Sequence, residues 1–213
     1  MTVVGAGPGV GAAVARRFAH EGLPVGLVAR DRTRLDALVR DLAAEGVPAA
    51  SAVADARRPD ELRQALHELD TALGPPEVLC VSPLPDVDLI KPVLRTSPQD
   101  LLASLELGVG AAATAALKVL PPMRALGRGT LLFTIGSGAL SPSPDRAASA
   151  VTTTALTTYV SMLHEALAPE HIHVAQLVIV GPVGPGLRHE PDTAAELLWQ
   201  CHAQRNQPQV VLR

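Results

Sequence analysis

The chain has 213 residues, a formal net charge of −3, 47% hydrophobic residues and only 2% aromatics. That is enough for one well-buried domain and short for two. The hydrophobic content excludes a disordered chain, and the weak charge and scarce aromatics exclude basic or base-stacking nucleic-acid surfaces. Cys80 and Cys201 form no CxxC pair, so zinc and redox motifs have no support and both read as core thiols. Thr2-Val3-Val4 follows Met1 directly, and no apolar run of about 18 residues stands out. The expectation is a cytoplasmic protein with no leader, no membrane contact and no nucleic-acid partner.

In chain order, Thr2–Gly5 reads as a strand and Gly9–Glu21 as a helix. Pro24–Ala29 is a strand, and Asp31–Glu45 a helix opened by an acidic cap. Pro48–Ala54 is a strand, and Pro59–Leu73 a helix with Pro and Asp in its first turn. Glu77–Ser82 is the fourth strand, followed by a Pro-rich loop to about Pro98. A long helix runs from about Gln99 to Leu126, crossing Pro121-Pro122 near its end. Thr130–Ile135 is a strand, Arg146–Leu167 a helix, Ile172–Val180 a strand, Thr193–His202 a helix and Gln209–Leu212 a last strand. Parallel strands need crossover helices, so this alternation predicts an α/β, doubly wound parallel sheet of the Rossmann type. It has about seven strands, helices on both faces and one domain over residues 1–213. Pro83–Pro98 and Gly181–Pro191 are the loops long enough to border a site.

Val4-Gly5-Ala6-Gly7-Pro8-Gly9-Val10-Gly11 joins the first strand to the first helix. Glycine lets backbone approach a phosphate, and a helix N-terminus offers free N–H groups and a positive dipole end. The run predicts phosphate binding, against the blander reading of a tight strand–helix turn. Its G-x-x-x-G-x-G spacing at Gly5, Gly9 and Gly11 resembles the short-chain dehydrogenase/reductase family. The resemblance continues through Leu120-Pro121-Pro122-Met123, Gly129–Phe133 and Gly181-Pro182. A subgroup with Gly-Ala-Gly-Pro-Gly openings and a Ser-Pro-Asp segment, here Ser143–Asp145, is most similar. The resemblance implies a cofactor site at Gly5, Gly9, Val10, Gly11, Arg30, Asp55 and Gly181. Arg30 ends Val28-Ala29-Arg30, where an arginine implies NADP(H) over NAD(H) through the 2′-phosphate; Asp31 beside it is read as the helix cap. Asp55 matches the family's adenine-contacting aspartate.

The family's chemistry uses Asn, Ser, Tyr and Lys, the last two as Tyr-x-x-x-Lys on one helix face. Lysine lowers the tyrosine pKa, and the phenol trades a proton during hydride transfer. Here Asn206 is the sole asparagine, Tyr159 the sole tyrosine, and Lys91 and Lys118 the sole lysines, none in pattern. Alignment on Ala155-Leu156 puts Ser149 at the tyrosine position and Thr153 at the lysine position. Glu106-Leu107-Gly108 stands at the Asn position, and Val81–Leu84 replaces Asn-Asn-Ala-Gly. Ser137 lies twelve residues before Ser149, one short of the family spacing. An aliphatic hydroxyl has no accessible proton near neutrality. Arg146 precedes Ser149 and Thr153 by three and seven residues, which predicts one shared helix face.

His189, beside Arg188 and Glu190, reads first as a solvated loop residue and second as an acid or base. His171 and His173 read as structural; His20, His67, His164 and His202 read as helix-surface residues. No spacing suggests a metal. The expected catalytic set is therefore Ser137, Arg146, Ser149, Thr153 and His189. The expected partners are a small-molecule substrate and further copies in a homodimer or homotetramer. Two classes stay open: an enzyme of a specialised pathway without the Tyr/Lys relay, acting by atypical reduction or by cyclisation, isomerisation or elimination, or a catalytically silent nucleotide-binding or partner subunit.

Overall fold

The computed structural model describes all 213 residues. Seven strands form one parallel sheet: β1 (Thr2–Val4), β2 (Val25–Ala29), β3 (Ala49–Val53), β4 (Val78–Val81), β5 (Gly129–Gly136), β6 (Ile172–Ile179) and β7 (Gln209–Leu212). Their order is β3-β2-β1-β4-β5-β6-β7. Val4 is registered against Val28 on one side and Val81 on the other. The winding reverses between β1 and β4, and the crevice above such a reversal is where open α/β sheets hold ligands.

The side-chain period of two sends alternate strand residues to opposite faces. Leu79, Val81, Leu131 and Phe133 enter one buried cluster, while Val78, Cys80 and Leu132 enter the other. The first cluster is completed by Leu62, Leu66 and Leu69 of α3 (Pro59–Leu73), by alanines of α5 (Ala111–Leu126) and by Leu156 and Val160 of α6 (Ala147–Leu167). The second takes Phe18 of α1 (Val10–Ala19), Leu35 and Leu42 of α2 (Arg32–Ala44) and Leu198 of α7 (Pro191–Gln204). Cys80 and Cys201 are buried free thiols, as the sequence predicts.

The long helix is in three parts. Pro98–Leu105 (α4) opens with a Ser97/Asp100 capping box, Glu106–Gly110 forms a π turn, and α5 follows. Single π turns insert one extra residue per turn and concentrate at functional positions. This one falls on the Glu106-Leu107-Gly108 segment. One helical stretch meets the length and composition of a membrane span, as a core helix can, and it is no clear span. Pro98–Leu126 has 29 residues and a window of mean hydropathy 1.4, of which 22% is buried. Ala111, Ala112, Ala115, Ala116 and Val119 are buried on it, and most of its other residues up to Lys118 are half-buried. His164 and His202, expected on the helix surface, are half-buried. His164 Nδ1 lies 3.0 Å from the Val174 carbonyl and His202 Nδ1 2.9 Å from Thr130 Oγ1.

Candidate active site

The loop after β1 is tied to the end of β2: the amides of Gly5 and Ala6 both donate to the Val28 carbonyl, at 2.9 and 3.0 Å. Gly5 has φ +93°, and a Cβ there would stand 2.5 Å from the Ser82 carbonyl oxygen, because the β1 and β4 loops cross at this point. At Gly11 a Cβ would lie 2.2 Å from the Gly5 oxygen, so helix α1 starts hard against its own loop. Gly7 and Gly9 face open space. The Ala12 and Ala13 amides bond to the Gly7 and Gly9 carbonyls, whereas the amides of Gly9, Val10 and Gly11 have no acceptor in the chain. Three free N–H groups at a helix start beside unobstructed glycines fit a pyrophosphate.

Arg30 is exposed at the mouth of this crevice. Asp31 is the α2 cap, its carboxylate accepting from the Arg34 amide at 3.1 Å. It also pairs with the Arg34 guanidinium at 3.1 Å, so it is not left free as a ribose acceptor. Asp55 is engaged in a way the sequence did not signal. Arg57 grips its carboxylate with Nε at 3.1 Å and Nη2 at 2.8 Å, and this guanidinium, helped by Arg30, holds the carboxyl below its ordinary pKa. Arg57 reaches Asp86 at 3.9 Å as well. Arg57 is thus paired with acids, and Arg30 is the arginine at this end of the crevice that makes no ion pair.

At the other end, Ser137 follows β5 in a 3-10 turn whose carbonyl accepts from Leu140 and Ser141, both at 2.9 Å. Ser149 and Thr153 are half-buried on α6. The Thr153 hydroxyl donates back to the Ser149 carbonyl at 2.8 Å, and it packs so near the Ser137 turn that a Cβ on Gly138 would meet it at 2.7 Å. Its proton is therefore committed to its own helix. Arg146 requires a correction: it closes a separate 3-10 turn (Pro144–Arg146) and caps α6 with φ −139° and ψ 48°. A helix that begins after Arg146 does not place it on the helical face of Ser149 and Thr153.

The residue types of a phenol–ammonium relay are all occupied elsewhere. Lys91 pairs with Asp100 at 2.8 Å and Lys118 with Asp70 at 3.3 Å. Tyr159 packs against the sheet core, and burial pushes its phenol up in pKa. Asn206 lies beyond α7 and donates to Gln204.

The solvated-loop reading of His189 also fails. His189 is buried, and its Nε2 lies 2.9 Å from the Val180 carbonyl. A carbonyl only accepts, so Nε2 carries a proton that is spent on backbone. Ser137, Leu140, Ser141, Val180, Arg188 and Arg213 line one open groove of about 530 Å³. Of the expected catalytic set only Ser137 faces it, and the Pro83–Pro98 loop does not. Arg213 and Leu140 were not legible as lining residues, because β7 and the turn after β5 meet there only through the fold. A hydroxyl pair, Thr134 to Ser82 at 2.8 Å, joins the ends of β5 and β4.

The short chain dehydrogenase family profile matches residues 1–194. A short chain dehydrogenase of Pseudocercospora fijiensis is 30% identical over 171 residues, covering 79% of this chain and 53% of that protein. The chain thus spans about half the length of this curated relative. The crystal structure of a short-chain dehydrogenase from Rhodopseudomonas palustris is 27% identical, with a TM-score of 0.88 over 100% of this chain and 96% of that one. An NADPH-bound short chain oxidoreductase from Pseudomonas aeruginosa, described as containing an atypical catalytic center, is 18% identical. It shares the fold at a TM-score of 0.89, over 99% of this chain and 94% of that one.

Proposed function

The chain belongs to the short-chain dehydrogenase family, and on that premise we propose that it holds NADP(H) and a small-molecule substrate at the carboxyl edge of its sheet without the Tyr/Lys proton relay. What supports this is α6: by sequence alignment Ser149 and Thr153 take the relay's positions, and the Thr153 hydroxyl donates to the helix backbone. The free amides of Gly9, Val10 and Gly11 would hold the pyrophosphate and Arg30 the 2′-phosphate, with Gly181 bordering the ring end. When bound, the nicotinamide supplies or accepts a hydride. The Pseudomonas aeruginosa fold relative, with NADPH and an atypical center, is in keeping with this reading.

The chain's own residues would then orient rather than protonate. The hydroxyls of Ser137 and Ser149 can hydrogen-bond a substrate oxygen, and Arg146 stands at the head of the same helix. None supplies a proton near neutral pH, so any proton the reaction needs comes from water in the open groove. Catalysis of this kind rests on positioning, in an atypical reduction or a non-redox rearrangement. A second reading is a catalytically silent nucleotide-binding or partner subunit; an uncovered apolar face is in keeping with pairing, whether or not the chain is active. Leu102, Leu117, Val151 and Met162 on α4, α5 and α6 are exposed apolar side chains suited to a second copy.

The cofactor reading is tested by thermal shift. NADPH should raise the melting temperature more than NADH, and Arg30→Ala should remove the difference. No shift with either nucleotide at millimolar concentration would overturn it.

A further inference from the structure

Arg188 and Arg213 line the groove of Ser137, and neither guanidinium pairs with an Asp or Glu side chain. From this we infer that the groove binds the oxyanion of the substrate, a carboxylate or phosphate group carried on a small apolar body. The inference rests on the groove being the substrate side of the site.

The loop that carries Arg188 is folded onto itself. Val183 bridges His189, the Gly184 amide donates to the His189 carbonyl at 3.0 Å, and the Leu187 amide donates to the Gly184 carbonyl at 3.0 Å. The Gly186 amide donates to the Glu190 carboxylate at 2.8 Å, and buried His189 pins the whole loop to Val180. The Arg188 stem lies across Gly181, where a Cβ would meet its Cδ at 2.9 Å. The guanidinium is therefore presented from a fixed base, which reduces the ordering cost of binding. Arg213 comes from the end of β7, an independent element. Leu140 and Val180 supply the apolar wall, and Ser137 and Ser141 supply hydroxyls.

The location separates this site from the pyrophosphate loop. β6 is three strand positions from β1 in the sheet order, and at about 4.8 Å per position the two strand ends stand roughly 14 Å apart. The groove thus lies beyond the phosphate cradle, on the side where a substrate would meet Ser137.

The test uses hexanoate, hexyl phosphate and neutral hexanamide as probes, with affinity read by ligand-observed NMR on the intact protein. One or both anions should bind about 10- to 100-fold more tightly than hexanamide, and added salt should narrow the gap. Whichever anion binds more tightly identifies the group. Arg188→Gln and Arg213→Gln, both exposed and free of protein partners, should each remove about tenfold of that preference while leaving NADPH affinity unchanged. Equal binding of hexanamide and both anions overturns the inference. So does an Arg188→Gln variant that weakens NADPH as much as it weakens the anions, since Arg188 would then serve the cofactor. Selective anion binding by a protein that takes up no NADPH supports the inference while refuting the cofactor reading, so the two failures are distinct.

Discussion

Gly108 sits in the π turn, and a Cβ there would stand 2.3 Å from Thr152 Cγ2 on α6. Carbon atoms in contact need about 3.5–4.0 Å, so Gly108→Ala demands more than an ångström of movement. Thr152 is buried, and its hydroxyl donates to Ser104 Oγ at 2.7 Å, which ties α6 to α4. Turning Thr152 away therefore breaks a hydrogen bond, worth about 1 kcal/mol, on top of overpacking worth about 1–3 kcal/mol. Gly108→Ala should cost about 3 kcal/mol and lower the melting temperature by about 6–12 °C for a chain of this size. Thr152→Ser removes the clashing methyl and keeps the hydroxyl. Alone it should cost about 1 kcal/mol as a buried-methyl deletion, but on the Gly108→Ala background it should restore stability. Urea denaturation of the four proteins closes the double-mutant cycle. Additive losses, with no rescue by Thr152→Ser, would refute the close packing of the π turn on α6.

The uncovered apolar side chains of α4–α6 predict a dimer or tetramer by light scattering at micromolar concentration, and a monomeric mass would count against it. His173 is buried, its Nε2 has no partner, and desolvation with neighbouring His164, Arg205 and His202 lowers its pKa to about 4. The unfolded chain takes up this proton near pH 6.5 and the folded protein only near 4, so stability is full above 6.5 and falls on acidification between the two. The slope is about 1.4 kcal/mol per pH unit, for a total of about 3 kcal/mol. In His173→Leu, urea denaturation across this range should show that contribution gone. The double change Ser149→Tyr with Thr153→Lys should create weak NADPH-dependent ketone reduction, measured as ketone-dependent NADPH consumption, because a phenol beside an ammonium regains a tunable proton. No gain over the parent protein would mean that more of the site than the relay has diverged.

The sheet was legible because period-two burial and the helix signals between strands agree; Pro59–Leu73 and Gln209–Leu212 match their observed bounds. The Asp31 cap was also legible, since a cap is a local competition between one side chain and the next amides. The reaction end was less so. Arg146 was placed by helical spacing, but Ser143 and Pro144 form a separate turn that delays α6. His189 read as solvated because nothing in Arg188-His189-Glu190 announces a loop that folds around its own histidine. Arg188 and Arg213 come to one groove by tertiary position, which no local pattern encodes. The π turn is a register change within an otherwise continuous apolar stripe, invisible to periodicity over so few residues.

On the proposed function, nucleotide is held while the proton relay is missing. The most direct test is the rate of NADPH consumption by the purified protein with a panel of small ketones, at a nucleotide concentration shown by titration to saturate it. Saturable NADPH binding is expected, with ketone-dependent consumption at the level of buffer, since general acid catalysis worth about 10²–10⁴-fold is absent. Robust ketone reduction by the unmodified protein, rising and falling with pH as a tuned acid titrates, would contradict it.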